Sequence, residues 1–541
     1  MIRRVDTAGS AQEQIEAFYR HQTLAQEVET AAVLTNIRHT VNTADPFYDA
    51  ENDFFDQNGP AISQKQLDLY AALLRSSYRA ELEAEFGPFL FEKMEQAAKS
   101  ASAQILQLMQ EENALQSAYQ KLYASAQIPF DGKMCTLPQM TLYKEDPDRS
   151  VRRAAFEAEG AWFDAHRQEL DDIYDKLVKN RTAQAKKLGY ENYVPLGYIR
   201  MNRLGYGPEE VARFRNQVVE EIVPIVCRLK KEQADRIGVE KLKFYDDPFQ
   251  YPEGNPRPHG TPEEILAAGV EMYRELCPKT AEFIDFMEKN HLFDLIAKKG
   301  KAPGGYCTYL PAYRSPFIFS NFNGTAGDVD VLTHEAGHAF AAYVAGRAGY
   351  IAELRDPSLE ACEVHSMSME FLTSAFHGRF FGEDTQRYAV SHAARALIFL
   401  PYGCMVDEFQ QRVYEQPEMT PDQRNAVWAE LEKKYRPYND FDALPFYGRG
   451  AGWQRQLHIY EYPFYYIDYC LAQVVAFDFF ADFLQDEQKA LQNYLAYTSL
   501  GGTRPFGELV KAAGYQPPYE PGAVAPAAKQ IDAWLQAAQN G

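Results

Sequence analysis

The stretch GTAGDVDVLTHEAGHAFAAYVAG occupies residues 324–346. It is rich in Val, Leu, Ala and Phe and contains no Lys or Arg. Thr325, followed three residues on by Asp328, has the pattern of a capping box, so a buried helix is expected from about residue 326. His334 and His338 lie four apart and share one face of that helix. Two imidazoles at this spacing can reach a single zinc ion, leaving room for a third ligand and a water. Glu335 sits beside them, placed to take a proton from that water. A pair of hydrogen-bonded core histidines is the bland alternative, but it would leave a buried glutamate without a compensating charge.

The third ligand has to come from another element. A metzincin would carry glycine at 341 and histidine at 344, where this chain has Ala341 and Val344. The next apolar segment, LEACEVHSMSMEFLTSAF (359–376), also lacks Lys and Arg. On a helix, Glu360, Glu363 and Glu370 fall within an arc of about 80°, on the side of Val364, Met367 and Phe371. Carboxylates buried on such a face need a cation, and a metal supplies one. Glu363, in the middle, is the best third ligand. Glu360 and Glu370 suit the task of orienting a ligand histidine. His365 points to the opposite side and reads as a core histidine.

Outward from this centre, GGYCTYLPAYRSPFIFSNFNG (304–324) is rich in aromatic and β-branched residues and punctuated by Gly and Pro. Two short strands are expected there, near 305–310 and 316–322. The second leads into the histidine helix and is expected to offer an edge to an extended peptide. Helices are expected at 262–297, 326–346 and 359–377. FYDDPFQYPEGNPRPHGTP (244–262) is dense in Pro and Gly and reads as a surface loop, the best candidate for a boundary or hinge. The first 200 residues carry helical periodicity at 11–34, 64–86 and 146–189. A division into an N-terminal helical region, 1–200, and a catalytic region, 201–541, follows. YGRGAGW (447–453) is followed by no Lys-Ser/Thr, so it is no phosphate loop; a flexible channel wall is the better expectation.

Composition narrows the classes. A chain of 541 residues exceeds the roughly 250–300 residues of one hydrophobic core. The 55 basic and 76 acidic residues give a net charge of −21, which argues against nucleic acid and anionic lipid as partners. No run of about 18 apolar residues suggests a membrane span, and MIRRVDTAGSAQEQIEAF has no apolar stretch after its arginines, unlike a secretory signal. The seven cysteines form no Cys-x-x-Cys pair and read as free thiols in a reducing cytoplasm.

HEAGH at 334–338, with Glu363 twenty-five residues after the second histidine, resembles the M3 peptidases of the thimet oligopeptidase type, and within them oligoendopeptidase F. The resemblance extends through NFNGTAGDVDVLTHEAGHAF, EVHSMSMEF (363–371) and RTAQAKKLGYENYVPLGYIRMNR (181–203), and spans roughly residues 180–475. It implies a mainly α, large helical zincin-type metallopeptidase with a small β-sheet at the active site and a deep substrate channel. It implies one zinc ion per chain held by His334, His338 and Glu363, with Glu335 as general base and oligopeptides cut internally. Ala341 and His365 depart from residues common in the family, though neither position is a ligand there. The family also places a histidine and tyrosines opposite the metal, and HIYEYPFYYIDYCLAQ (458–473) supplies them. Pro463 is expected in the first turn of a helix. His458, Tyr462 and Tyr469, with Tyr466 as a substitute, are the expected oxyanion donors. Two other readings stay open: an exopeptidase of the dipeptidyl carboxypeptidase kind, and a zinc- or peptide-binding protein without activity. Intact Glu335 speaks against the second.

Overall fold

The computed structural model describes residues 1–540 apart from 299 and 303. Helices dominate, as the 3.6-residue periodicity predicts. Among them are α1 (Ala11–Val41), α2 (Arg167–Lys187), α3 (Ala326–Arg347), α4 (Leu359–Leu372), α5 (Thr385–Glu415) and α6 (Tyr466–Gln485). The strands are β1 (Ile128–Phe130), β2 (Lys133–Cys135), β3 (Phe293–Ile296), β4 (Tyr306–Leu310) and β5 (Ser315–Phe322).

Several expected helices are interrupted for local reasons. The 262–297 stretch divides at Cys277, which is extended (φ −165°, ψ 165°) because Pro278 follows it and opens the next helix. The 146–189 stretch divides at His166 into Arg149–Ala165 and α2. The hairpin β1–β2 turns through Asp131 and Gly132, both at positive φ, the signature of a tight two-residue connection.

β3, β5 and β4 form one sheet in that order, β3 parallel and β4 antiparallel to β5. The two strands expected from sequence are β4 and β5, and β3 joins them. β5 is therefore the central strand, with a partner on each side. The expectation of a free edge along 315–324 is overturned: the edge on the site's side is β4.

Two apolar clusters fill the interior. The smaller gathers residues between Val5 and Met94, including Phe18, Leu73 and Phe91. The larger runs from Tyr119 to Leu535 and contains the faces of α3, α4, α5 and α6. The N-terminal helices meet the connection between α3 and α4 at Glu353, which accepts from Tyr70 (2.8 Å), Gln66 (3.1 Å) and Gln22 (2.8 Å).

The Pro-rich segment 244–262 is not a free surface loop. Asp246 is fully buried and held by Arg149 (2.6 Å) and Arg152 (2.8 Å), and Tyr245, Phe249 and Tyr251 pack inward. The YGRGAGW loop is packed rather than free: Ala451 and Trp453 are fully buried, and the Trp453 indole donates to Asn425. Among the described residues, the segment 378–415, which contains α5, is the one helical stretch long and apolar enough to cross a bilayer. It serves as a core element, with Asp407 buried and bonded to Arg215 at 2.6 Å.

Candidate active site

β5 feeds α3 through a tight turn. Thr325 is the N-cap, but its side chain makes no cap bond; instead Asp328 reaches back to accept from Asn323 (3.0 Å) and Gly324 (2.6 Å). α4 then packs directly on α3. A Cβ on Gly337 would lie 2.7 Å from the His365 carbonyl oxygen and 2.7 Å from Ser366 Cα, so only glycine lets the two backbones come this close. That approach delivers Glu363 to the histidines. His334 Nε2 and His338 Nε2 lie 3.3 and 3.6 Å from Glu363 Oε2. The three ligand-type atoms fall within 4.8 Å of one another, as the sequence spacing predicts.

Each member is held from behind. His334 Nδ1 meets Glu370 Oε1 at 2.7 Å, which aims Nε2 at the cluster. The other oxygen of Glu370 meets His392 Nε2 on α5 at 2.8 Å. Glu363 Oε1 accepts from the Tyr465 hydroxyl at 2.9 Å, and Ser366 donates to Oε2 at 3.1 Å. The electrostatics are those of a cation trap. Burial alone would raise the carboxyls of Glu363 and Glu370, yet the imidazoles hold Glu363 well below the carboxylate range and Glu370 down at about 2. Burial works against the charge on His334, but its two carboxylate partners raise its pKa well above the usual histidine value. Glu335 is different: burial lifts its carboxyl, His334 and His338 offset part of that, and the backbone N–H of Cys307 on β4 reaches it.

The remaining expected residues separate into those brought together and those placed elsewhere. Glu360 does not orient an imidazole. It is fully buried three residues before Glu363, where it accepts from Tyr206 (3.0 Å) beside the Arg203–Asp468 ion pair. His365 is a core residue, as expected; burial holds it down at about 3. Pro463 does not open the helix. α6 begins at Tyr466, after a turn in which Phe464 adopts φ 71° while fully buried. Its N–H donates to Gln410 (3.0 Å) and its carbonyl accepts from Arg203, so the surrounding core enforces a conformation that bulky residues avoid. That turn brings Tyr465 to Glu363 and leaves Tyr462 more than half exposed (54%). The sequence reading places Tyr465 in the tyrosine cluster without choosing it as a site residue, and it does not single out His392. The first belongs to the right motif but the wrong turn of chain, and the second carries no local signal.

Two cavities flank the cluster. One of about 430 Å³ is lined by His334, Glu370, His392, His458, Tyr466 and Tyr469. The other, of about 410 Å³, is lined by His338, Glu363 and Tyr465 together with Cys307, Thr308 and Tyr309 of β4. Burial holds His458 down at about 4, so its ring is neutral at pH 7. The Gln456 amide donates to its Nδ1 (2.8 Å), which makes Nε2 the proton-bearing nitrogen.

These features agree with comparisons to known proteins. A model of the peptidase M3 N-terminal domain matches residues 1–101. A solved structure described as PZ peptidase A with an inhibitor is 47% identical, with a TM-score of 0.94 over 99% of this chain and 95% of that one. Another, labelled oligoendopeptidase F on a provisional basis, is 49% identical with a TM-score of 0.93, over 99% of this chain and 94% of that one. Group B oligopeptidase PepB of Streptococcus agalactiae is 23% identical over 394 residues, 68% of this chain and 60% of PepB, so the match spans less than two thirds of that relative. The model of peptidase family M3 matches residues 142–524, and the chain belongs to that family.

Proposed function

We propose that this protein is a zinc-dependent endopeptidase that hydrolyses internal peptide bonds of oligopeptides. The observation that carries the reading is the convergence of His334 Nε2, His338 Nε2 and Glu363 Oε2 within 4.8 Å, backed by Glu370 and Tyr465. Two imidazole nitrogens and one carboxylate oxygen are the donor set of a catalytic zinc site with an open position. Bound there, zinc would supply a Lewis acid for the scissile carbonyl and acidify a water.

The chain's own residues would do the rest. Glu335, one residue after the first ligand and with a carboxyl raised by burial, takes the proton of the attacking water and passes it to the departing amine. β4 presents the sheet edge beside the cluster, and an extended peptide laid along it would gain backbone hydrogen bonds. His458, neutral and with Nε2–H free to donate, faces the same cavity as Tyr469 and Tyr466 and stabilises the oxyanion. Tyr465 orients Glu363; Tyr462, expected as a donor, is assigned no role.

The test pairs metal analysis with peptide digestion, using wild type and Glu335→Gln. About one zinc per chain is expected in both, with cleavage by the wild type alone. Equal cleavage by the variant would reject the assigned base. End-group analysis of the products separates internal cleavage from removal of a terminal dipeptide.

A further inference from the structure

A further cavity lies beside the cluster. It measures about 510 Å³, within the roughly 300–1,000 Å³ of ligand pockets. Arg395 and Phe399 line both it and the cavity that holds His334, His458 and Tyr469, so the two adjoin. An extended chain crossing the cluster in that direction runs into it.

Its charges are uneven. Lys230 is paired with Asp247, Arg436 with Glu432, and Arg395 with Asp330 at 3.2 Å. Glu145 faces Arg257 and Arg395. Lys144 and Arg455 differ, because both lean on one carboxylate. Glu159, almost fully buried, takes Lys144 on Oε2 and Arg455 on Oε1 (2.8 Å), and also accepts from Tyr447 (2.6 Å). The trio carries one uncompensated positive charge inside a protein of net charge −21. Its strain shows at Lys144: burial and the neighbouring Arg455 lower its pKa to about 8. Arg455 keeps a third of its side chain exposed, with the cavity in front of it. On the far side of the cluster the sign reverses. Among the lining residues of the 410 Å³ cavity, Glu29 and Asp356 face one cationic side chain, Arg355.

We propose that the 510 Å³ cavity receives the C-terminal part of a bound oligopeptide, and that Lys144 and Arg455 hold its terminal carboxylate. This rests on the peptidase reading above and adds to it a polarity and a second anchor. A free carboxylate brings the charge that the trio lacks and can accept from both cations, a stronger contact than either neutral ends or internal residues make. The acid-rich cavity beyond His338 suits the N-terminal ammonium by the same logic.

The experiment uses one peptide sequence in two forms, with a free C-terminal carboxylate and with a C-terminal amide. Binding is read on the zinc-loaded Glu335→Gln variant, which holds peptide without consuming it, and cleavage on the wild type. The acid should bind about tenfold more tightly than the amide, with the same preference in kcat/KM carried by KM. Arg455→Met should bring acid affinity down to that of the amide; Lys144 still covers Glu159 in that variant. Equal binding of acid and amide by the unaltered cavity overturns the proposal, whether or not Arg455→Met folds. So does an acid preference undiminished in Arg455→Met. A protein that binds the acid preferentially but cuts neither peptide keeps this anchor and rejects the peptidase reading instead.

Discussion

Glu360 and Glu363 stand on the same helix, less than one turn apart, both buried, and they do opposite things. Glu363 faces two imidazoles and a tyrosine hydroxyl. Glu360 faces Tyr206 and the Arg203–Asp468 pair, in a cluster with two acids and one arginine. Burial lifts Glu360 and Asp468 toward protonation, whereas Glu363 is kept ionised. An acid on an apolar helix face announces that something must neutralise it. It does not announce whether that is a proton, an arginine or a metal. The partners decide, and they come from other elements: His334 and His338 lie 29 and 25 residues before Glu363, whereas Tyr465, Tyr206, Arg203 and Asp468 lie 100 residues or more away.

The sharpest way to break this contrast is to substitute both acids alike. Glu363→Gln should abolish stoichiometric zinc and lower kcat/KM by about a thousandfold or more. Glu360→Gln should keep full zinc and stay within about twofold in activity, since Gln preserves the bond from Tyr206; metal loss in Glu360→Gln would erase the distinction. Next in size, Glu370→Gln and Tyr465→Phe should each weaken zinc about 10- to 100-fold, read by competition with a chelator. Tyr462→Phe, at an exposed ring, should change neither affinity nor kcat/KM by more than about twofold. A larger loss in Tyr462→Phe than in Tyr465→Phe would reverse the assignment of the tyrosines.

A last prediction concerns stability and pH rather than activity. Burial depresses His365 and His377, both to about 3, so the unfolded chain binds their protons first as pH falls. Their contribution to stability is complete above about pH 6.5 and is lost on acidification, by about 1.4 kcal/mol per pH unit for each histidine between pH 6.5 and 3. Thermal melts of the zinc-loaded protein from pH 7.5 to 4.5 should show this falling limb, and His377→Asn should flatten it. An unchanged slope would place its charge elsewhere.

What could be read in advance follows the range of each interaction. The α3 and α4 helices and the strands β4 and β5 are written in local periodicity, and so are His334, His338 and Glu363. Glu370 was placed by the same wheel, but its partner His392 lies 22 residues on, in another helix, where spacing carries no information. Tyr465 was hidden by the turn at Phe464, whose positive φ only the surrounding core enforces. β5 reads as a strand from its residues, but being central depends on β3, four residues long and without a pattern of its own. Asp246 shows the same limit, since a Pro-rich segment looks mobile until two distant arginines hold it.

Gly337 ties these ranges together. Because its missing side chain is the space that the α4 backbone occupies, the third ligand arrives only when the core between those helices has closed. A nascent or damaged chain would expose two histidines on one helix and no carboxylate, a far poorer chelator. If the zinc reading proposed above holds, uptake of the ion would work as an inspection of the finished interior, and an incompletely packed copy would remain an inert protein rather than a loose protease.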